Sequence, residues 1–141
     1  MEEENFGLYD PDTYTHYAER CYFIADKFAE TIRGYRGLGY TVVGYGAPAK
    51  GNTLMNFANE GPDFIVDDNP LKQLHFTPGM SVPIYSQSYL TLNHFEKPKV
   101  CFVPLAWNFY DEIVGKIKEI RPPHTHKDIF VRYFPKFEIN D

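Results

Sequence analysis

The chain has 141 residues and a formal net charge of −5 at pH 7. This length predicts one domain, residues 1–141, with room for a hydrophobic core. The acidic balance and the absence of a basic cluster argue against nucleic acid and anionic membrane surfaces as partners. No apolar run reaches the length of a membrane span, and the acidic start Met1–Glu4 is unlike a signal peptide, so we expect a cytoplasmic protein.

Neither the cysteines nor the histidines form a motif that predicts a disulfide or a metal site. Cys21 and Cys101 lie in apolar segments without motif spacing, which favours buried free thiols. His124 and His126 form an H-T-H sequence, but the segment offers no convincing third ligand. A solvated loop is the favoured interpretation there, and we expect no bound metal.

A long amphipathic helix is predicted over residues 11–36, after a polar lead-in over residues 1–10. Pro11 with acidic neighbours is a helix start signal, and Gly37 lies where the helix ends. Apolar side chains recur at three- and four-residue spacing: Tyr14, Tyr17, Cys21, Ile24, Phe28 and Ile32. Core packing with a solvated face is favoured over ligand contact. A long helix before the first strand also indicates a connection to a structure upstream.

The next stretch predicts a strand, a glycine-rich turn and the start of a helix. Tyr40–Tyr45 is a β-branched and aromatic run, the turn contains Gly44 and Gly46, and the helix is expected over Asn52–Asn59. The first amides of such a helix lack intrahelical partners and favour an anion. Lys50 adds a charge-assisted contact. The stretch therefore predicts a phosphate or diphosphate site, typical of a nucleotide.

This stretch comes close to two standard nucleotide-binding motifs but matches neither. The spacing G-x-G-x-x-x-x-G is two residues wider than the dinucleotide fingerprint. The phosphate-loop pattern fits from Gly46 to Thr53 except that Lys50 precedes Gly51 and Asn52 takes the lysine position. The alternative interpretation is that the glycines only make a tight turn between a strand and a helix.

A second buried strand is predicted over Asp63–Asp68, and it ends in two acids. Asp67 and Asp68 follow Gly44 at a distance typical of the ribose-binding carboxylate in nucleotide-binding folds. The equally weighted alternative is a turn made with the following Asn69-Pro70.

The second half of the chain predicts further strands and one clear helix. Trp107 and Asn108 lie between a predicted strand and a predicted helix, at the edge where open α/β sheets bind ligands; the alternative for Trp107 is that it only caps the core. The expected elements are strands at 83–85, 100–103, 129–133 and 137–139, a poor helix at 86–94 and a helix at 111–120. The alternation predicts an α/β fold, a Rossmann-like three-layer α/β/α sandwich with a mostly parallel sheet over residues 40–141.

Five motifs occur in fixed order along the chain. They are Gly44–Asn56 (G-Y-G-A-P-A-K-G-N-T-L-M-N), Val66–Gln73 (V-D-D-N-P-L-K-Q), Thr77–Gly79 (T-P-G), Val82–Ile84 (V-P-I) and Leu105–Ile113 (L-A-W-N-F-Y-D-E-I). Together they resemble the C-terminal domain of SAM-dependent sugar C-methyltransferases, and the resemblance covers nearly the whole chain, from Gly7 to Ile139. Two departures occur: Leu74 replaces an expected glycine, and His124–Asp128 replaces a more glycine-rich segment.

The resemblance implies a division of labour between domains. Enzymes of this family methylate a carbon of a keto-deoxysugar carried on a nucleoside diphosphate. A separate SAM-binding domain, in the same longer chain or in another subunit, uses the cofactor and supplies most acid–base residues. The domain resembled here is implied to hold the nucleotide-sugar, to bind no cofactor itself and to methylate nothing alone. Catalytic residues are not assigned.

Carried over by position, the resemblance implies three groups of substrate-binding residues. Gly44, Gly46, Ala47, Lys50, Gly51 and Asn52 would face the diphosphate, Asp67, Asp68 and Lys72 would lie near the nucleoside, and Trp107 and Asn108 would line the cleft toward the sugar.

Three other interpretations stay open. The first is an NAD-binding oxidoreductase-type Rossmann domain, and the second is a SAM-binding domain in its own right. The third is a non-catalytic interaction module with a vestigial pocket, which contacts a methyltransferase through the aromatic first helix.

Overall fold

A computed structural model describes residues 11–91, 97, 99–123, 126–134 and 136–141, with backbone alone for residues 11–14 and 49–50. The predicted lead-in at residues 1–10 and His124 therefore lie outside the described residues, as do the side chains of Tyr14 and Lys50. Within the described part, none of the helices is long and apolar enough to cross a membrane.

The described chain forms three α-helices and six strands. The helices are α1 (Pro11–Gly37), α2 (Ala49–Ala58) and α3 (Tyr110–Ile120). The strands are β1 (Thr41–Tyr45), β2 (Phe64–Val66), β3 (Ile84–Tyr85), β4 (Val100–Pro104), β5 (Ile129–Arg132) and β6 (Glu138–Asn140). Two pairs of the described strands, β2 with β3 and β5 with β6, follow each other without a helix between them. Two short 3-10 helices cover Gln87–Thr91 and Trp107–Phe109.

The six strands form one sheet in the order β3-β2-β1-β4-β5-β6. All neighbours are parallel except β5 and β6, which are antiparallel. This order is the one found in doubly wound dinucleotide-binding folds. The chain reverses direction across the sheet between β1 and β4, and the carboxyl ends of these two strands are where such sheets bind ligands.

Hydrophobic cores cover both faces of the sheet, which confirms the predicted three-layer sandwich. One core joins Phe28 and Ile32 of α1 and Met55 of α2 to the face of β1 that carries Val42. The other joins Ile113 and Ile117 of α3 to the opposite face. Alternate strand residues point to opposite faces, so each short apolar strand supplies side chains to both cores.

The end of α1 is tied to the segment before β2. Arg36 contacts Glu60 at 3.1 Å and Asp63 at 3.0 Å through its two terminal nitrogens. The other oxygen of Asp63 accepts a 2.9 Å hydrogen bond from the backbone N–H of Val42 in β1. These contacts fix the loop after α2 against β1, and thereby the position from which β2 starts.

Several predicted boundaries differ from the structure. Helix α2 begins at Ala49 rather than Asn52, because Pro48 is extended with φ of −76° and ψ of 159° and the chain turns helical directly after it. Strand β2 is shorter than predicted and ends at Val66, and the side-chain carboxylate of the following Asp67 accepts hydrogen bonds from the backbone amides of Ala47 and Asn69. The predicted helix at 86–94 is instead a 3-10 turn in its described part, Gln87–Thr91.

The two cysteines differ in environment. Cys101 is a buried free thiol, as predicted, and burial raises its pKa to about 12. Cys21 is also free but only half-buried, so the predicted burial was wrong for this residue.

Candidate functional site

The loop between β1 and α2, residues Gly46–Pro48, is held by the last residue of β2 and by the chain that follows it. The Gly46 N–H donates to the Val66 carbonyl at 2.7 Å. The Ala47 N–H donates to Oδ2 of Asp67 at 2.7 Å, and the Ala47 carbonyl accepts from Nζ of Lys72 at 3.0 Å. Three hydrogen bonds thus fix this loop at the carboxyl edge of the sheet.

Asp67 is buried and uses both carboxylate oxygens within the protein. Oδ2 accepts from Ala47, and Oδ1 accepts a 2.8 Å hydrogen bond from the backbone N–H of Asn69. Two interpretations of Asp67 were open from the sequence, a contact with ribose and a turn with Asn69. In the structure Asp67 makes the turn with Asn69. Its charge braces the loop between β1 and α2.

Asp68 is more exposed and links two other elements. It accepts hydrogen bonds from the Tyr45 hydroxyl at 3.0 Å and from Nζ of Lys116 on α3 at 3.2 Å. Burial, followed by the hydrogen bond to Asp68, raises the pKa of Tyr45, so its hydroxyl stays protonated. The result is a polar cluster in front of the ends of β1 and β2.

Two cavities lie on either side of the Gly46–Pro48 loop. The smaller, about 230 Å³, is called the α3 cavity because α3 forms one wall, and its charged lining consists of Asp67, Asp68, Lys72, Glu112 and Lys116. The larger, about 520 Å³, is called the α2 cavity, and its lining includes Asn52 and Met55 of α2, Ile84 of β3, and Leu71, His75, Phe76 and Thr77 of the intervening loop.

Ala47, Pro48 and Lys72 line both cavities and form the junction between them. Lys72 is the lysine at this junction whose side chain is described. Lys50 lies in the first turn of α2, and its side chain is outside the described residues. The expected phosphate contact by Lys50 therefore stays a prediction.

Gly44 and Gly51, by contrast, lie in the packing between β1, α2 and β4. A Cβ atom on Gly51 would lie 2.9 Å from Cβ of Leu105, and one on Gly44 would lie 3.1 Å from side-chain atoms of Leu105 and Ile65. These two glycines bring α2 close to the sheet, and the structure does not bring them into the lining of either cavity. Of the turn's glycines, Gly46 faces the α3 cavity.

Trp107 and Asn108 also lie apart from the two cavities. The Trp107 ring packs against Phe134, with centroids 4.5 Å apart, and joins the core on the α1 side of the sheet. Asn108 is exposed. Ala106 and Phe109, which flank this pair, line the α3 cavity instead.

A substitution at Gly46 tests how strictly the loop geometry is required. Gly46 has φ of 86°, and a Cβ atom there would lie 3.2 Å from Cβ of Ala106. We expect Gly46→Ala to lower the free energy of unfolding by about 1–2 kcal/mol, measured by urea denaturation, because other residues are strained in this conformation. Gly115→Ala is the control: Gly115 lies in α3 with open space around it and is expected to stabilise the helix. Equal stability of Gly46→Ala and wild type would contradict the loop assignment.

Comparison with known proteins identifies the family. Residues 1–135 match the family described as C-methyltransferase C-terminal domain. The chain belongs to this family. The prediction from the five motifs is confirmed, and C-methyltransferase NovU of Streptomyces niveus is a similar protein, 34% identical over 121 residues. The match covers 84% of this chain and 28% of NovU.

Among solved structures, this C-methyltransferase C-terminal domain is similar to UDP-D-quinovosamine 4-dehydrogenase from Vibrio fischeri. The TM-score is 0.46 and the sequence identity 16%, over 72% of this chain and 93% of that chain.

In this C-methyltransferase C-terminal domain, Leu74 departs from the family's sequence pattern and has a strained backbone conformation. It stands where the family resemblance implies glycine, and it has φ of 64° with its side chain 83% exposed. We expect Leu74→Gly to raise the free energy of unfolding by about 0.5–1 kcal/mol, since relief of left-handed strain exceeds the entropic cost of glycine. Thermal and urea unfolding measure this change. Leu71→Gly is the matched control, because Leu71 is equally exposed without positive φ, and stabilisation by both would refute the strain argument.

Proposed function

We propose that this C-methyltransferase C-terminal domain binds a nucleoside-diphosphate sugar. It positions the keto-sugar for methylation by a separate SAM-binding methyltransferase domain, in the same longer chain or in another subunit. The observation that carries the proposal is the junction at Lys72, where a cation, the start of α2 and two cavities meet. No cofactor is assigned to this domain, and SAM in the other domain supplies the methyl group.

The junction has the chemistry that a diphosphate requires. Nζ of Lys72 carries three N–H donors, of which one is directed at the Ala47 carbonyl at 3.0 Å. The start of α2 adds the partial positive charge of its dipole directly after Pro48. An anion placed here gains both interactions without entering the α3 cavity, whose described lining carries more carboxylates than lysines.

The α2 cavity has the size and lining of a small-molecule site. Its volume of about 520 Å³ falls within the usual range of about 300–1,000 Å³. Apolar side chains dominate its lining, with a few polar groups: Asn52, Lys72, His75 and Thr77. This pattern is typical of sites that bury the flat, weakly polar part of a ligand and orient it by a few hydrogen bonds.

The contribution to catalysis proposed here is orientation. Binding energy at the nucleotide, which takes no part in the methyl transfer, fixes the position of the reacting carbon relative to the other domain. The catalytic base and the stabilisation of developing negative charge on the sugar oxygen are left to that other domain. The contribution of this chain is therefore measured as its affinity for the nucleotide-sugar.

A dinucleotide-binding role is the main competing function, because the strand order is that of doubly wound dinucleotide folds. Such folds use an acid at the end of the second strand to bind ribose hydroxyls. Here the corresponding Asp67 is buried and accepts two backbone hydrogen bonds. This arrangement favours a ligand other than NAD.

A thermal-shift panel tests the proposal. The ligands are dTDP, UDP, GDP, their common sugars, NAD and SAM, and any hit is followed by calorimetry. A ligand at about a hundredfold its dissociation constant stabilises the folded chain by about 2.7 kcal/mol. A shift with a nucleoside diphosphate or its sugar supports the proposal. A shift with NAD or SAM alone overturns it, and no shift at all favours an interaction module.

A further inference from the structure

The first half of α1 and the residues after β5 form a groove with aromatic walls, which we call the aromatic groove. Its volume is about 440 Å³, and its lining includes Tyr17, Arg20, Phe23, Tyr133, Phe134 and Phe137. Tyr17 and Phe23 are 60% and 57% exposed, so the groove is open to another molecule. Aromatic and arginine side chains are enriched in protein interfaces relative to the rest of the surface.

The aromatic groove lies at the carboxyl edge of the sheet, the edge that carries the proposed ligand site. A short turn joins α1 to β1, so helix and strand run in opposite directions and the first turns of α1 reach the carboxyl edge. Ring contacts at both ends of the helix agree with this direction. Tyr35 packs against Tyr40, which precedes β1, with centroids 5.2 Å apart. Phe28 packs against Tyr133, which follows β5, with centroids 6.0 Å apart.

The aromatic groove also adjoins the walls of both ligand cavities. Beside it, Tyr22 of α1 packs against Phe57 of α2 with centroids 5.2 Å apart, and α2 forms a wall of the α2 cavity. Phe134 packs against Trp107 at 4.5 Å, and the preceding Ala106 lines the α3 cavity. A domain that covers the groove and the neighbouring Tyr22 is thus separated from the α2 cavity by the width of one helix, about 10–12 Å.

Arg20 determines the charge of this surface. It is the charged side chain in the described lining of the groove, and it is exposed. It forms no hydrogen bond or ion pair with the part of the chain that the structure describes. A guanidinium binds a carboxylate through two parallel hydrogen bonds. The aromatic groove therefore fits an apolar segment that carries an aspartate or a glutamate.

The proposed function requires the SAM-binding methyltransferase domain at this same edge. Methyl transfer needs contact between the donor and the reacting carbon, so the other domain has to approach the edge at which this chain holds the ligand. NovU has polypeptide for such a domain, since the match with this chain covers only 28% of NovU. A second copy of this chain would bring no methyl donor to the ligand.

We propose that the aromatic groove is the docking surface for the SAM-binding methyltransferase domain, and that Arg20 pairs there with a carboxylate of that domain. This inference rests on the proposed function. Docking at the groove fixes the direction from which the methyl group reaches the ligand, while the nucleotide-sugar stays bound at Lys72. Arg20 and Phe23 thus act in assembly and not in ligand binding.

Association with the remainder of NovU tests the proposal. The probe is NovU without the segment that matches this chain, and its binding of SAM in calorimetry shows that it is folded. We expect the wild-type chain to bind this probe in surface plasmon resonance. Phe23→Ser is expected to weaken the association about 30-fold, the scale of an aromatic side chain at the centre of an interface. Arg20→Glu is expected to weaken it at least about tenfold, because it places two carboxylates together.

Each variant has a matched control at the amino edge of the sheet. Leu38→Ser removes an apolar side chain that is 65% exposed directly after α1, and Lys127→Glu reverses an exposed charge before β5. Neither control is expected to change the association. Thermal unfolding verifies that all four variants are folded.

Calorimetry with UDP-glucose separates this inference from the proposed function, because all four variants are expected to bind UDP-glucose as the wild type does. The docking proposal is overturned if the wild-type chain does not bind the probe, or if the groove variants lose no more affinity than their controls. A wild-type dimer in sedimentation that Phe23→Ser dissociates also overturns it, since the groove then binds a second copy. If the chain binds the probe but no nucleotide-sugar, the proposed function fails and the chain is an interaction module.

Discussion

Replacement of Asp128 by alanine is expected to lower the free energy of unfolding by about 3–5 kcal/mol. Asp128 accepts a 2.7 Å hydrogen bond from Nε and a 2.9 Å bond from Nη2 of Arg121, whose side chain is 3% exposed. It also accepts from the backbone N–H of Val100 at 3.1 Å. Without the carboxylate, the buried guanidinium beside Phe102 loses both of these charge-assisted hydrogen bonds. Urea denaturation at neutral pH measures the change.

An exposed ion pair provides the control for this prediction. Arg33 contacts Glu60 at 3.0 Å, but its side chain is 60% exposed, so Arg33→Met is expected to cost less than about 1 kcal/mol. If Asp128→Ala costs no more than this control, the buried pair does not hold the end of α3 to β4 and β5. Replacement of both Arg121 and Asp128 by apolar residues is expected to recover part of the loss, because the buried cation is then removed together with the carboxylate that binds it.

Replacement of Lys72 by methionine is expected to weaken the binding of a nucleoside diphosphate by about 10- to 150-fold. The estimate takes about 1.5–3 kcal/mol for a hydrogen bond to a charged group, with tenfold in affinity for every 1.4 kcal/mol. The loss has two sources: the ammonium at the junction, and the 3.0 Å hydrogen bond that holds the Ala47 carbonyl. Isothermal titration calorimetry with UDP or dTDP measures the dissociation constants.

Lys127→Met is the matched control for Lys72→Met. Lys127 is exposed and precedes β5, so it lies toward the amino edge of the parallel strands, opposite the junction. Both variants remove one positive charge. An equal loss of affinity for the nucleoside diphosphate in both would indicate long-range electrostatic attraction rather than a direct contact with the ligand. Unchanged affinity in Lys72→Met, with the variant folded, would remove Lys72 from the site.

The layered fold was predictable because local sequence patterns determine it directly. Short β-branched runs such as Val100–Val103 and helical apolar spacing such as that of Ile113, Ile117 and Ile120 carry their own periodicity. Their alternation leaves few topologies, and the observed sheet is mostly parallel, as predicted. The predicted start of α2 at Asn52 was wrong, because the chain turns helical at Ala49, directly after the extended Pro48.

The sequence alone does not distinguish the different roles of the glycines in the turn after β1. Gly44, Gly46 and Gly51 give the same local signal, a residue without a side chain near a turn. What distinguishes Gly51 is Leu105, a residue distant in sequence that approaches within 2.9 Å of the place where a Cβ atom would be. Only the folded arrangement of α2 against β4 reveals that this glycine serves packing while Gly46 faces a cavity.

The polar side chains of the site illustrate the same limit. The sequence indicated the acids after β2 as site residues. It did not indicate the hydrogen bond from the Ala47 N–H to Asp67, because Ala47 lies in a loop twenty residues earlier. Lys116 gave no signal, because on an amphipathic helix it reads as an ordinary solvated residue, and only the fold places it beside Asp68. Trp107 was predicted to face the cleft, and it packs instead against Phe134, which follows a later strand.

Calorimetric titration of the wild-type chain with a nucleoside-diphosphate sugar, in parallel with SAM and NAD, tests whether this domain holds the nucleotide-sugar. We expect saturable binding of UDP-glucose or dTDP-glucose and no binding of SAM or NAD. Saturable binding of SAM or NAD, with no heat from any nucleoside diphosphate or its sugar, would contradict the proposed function.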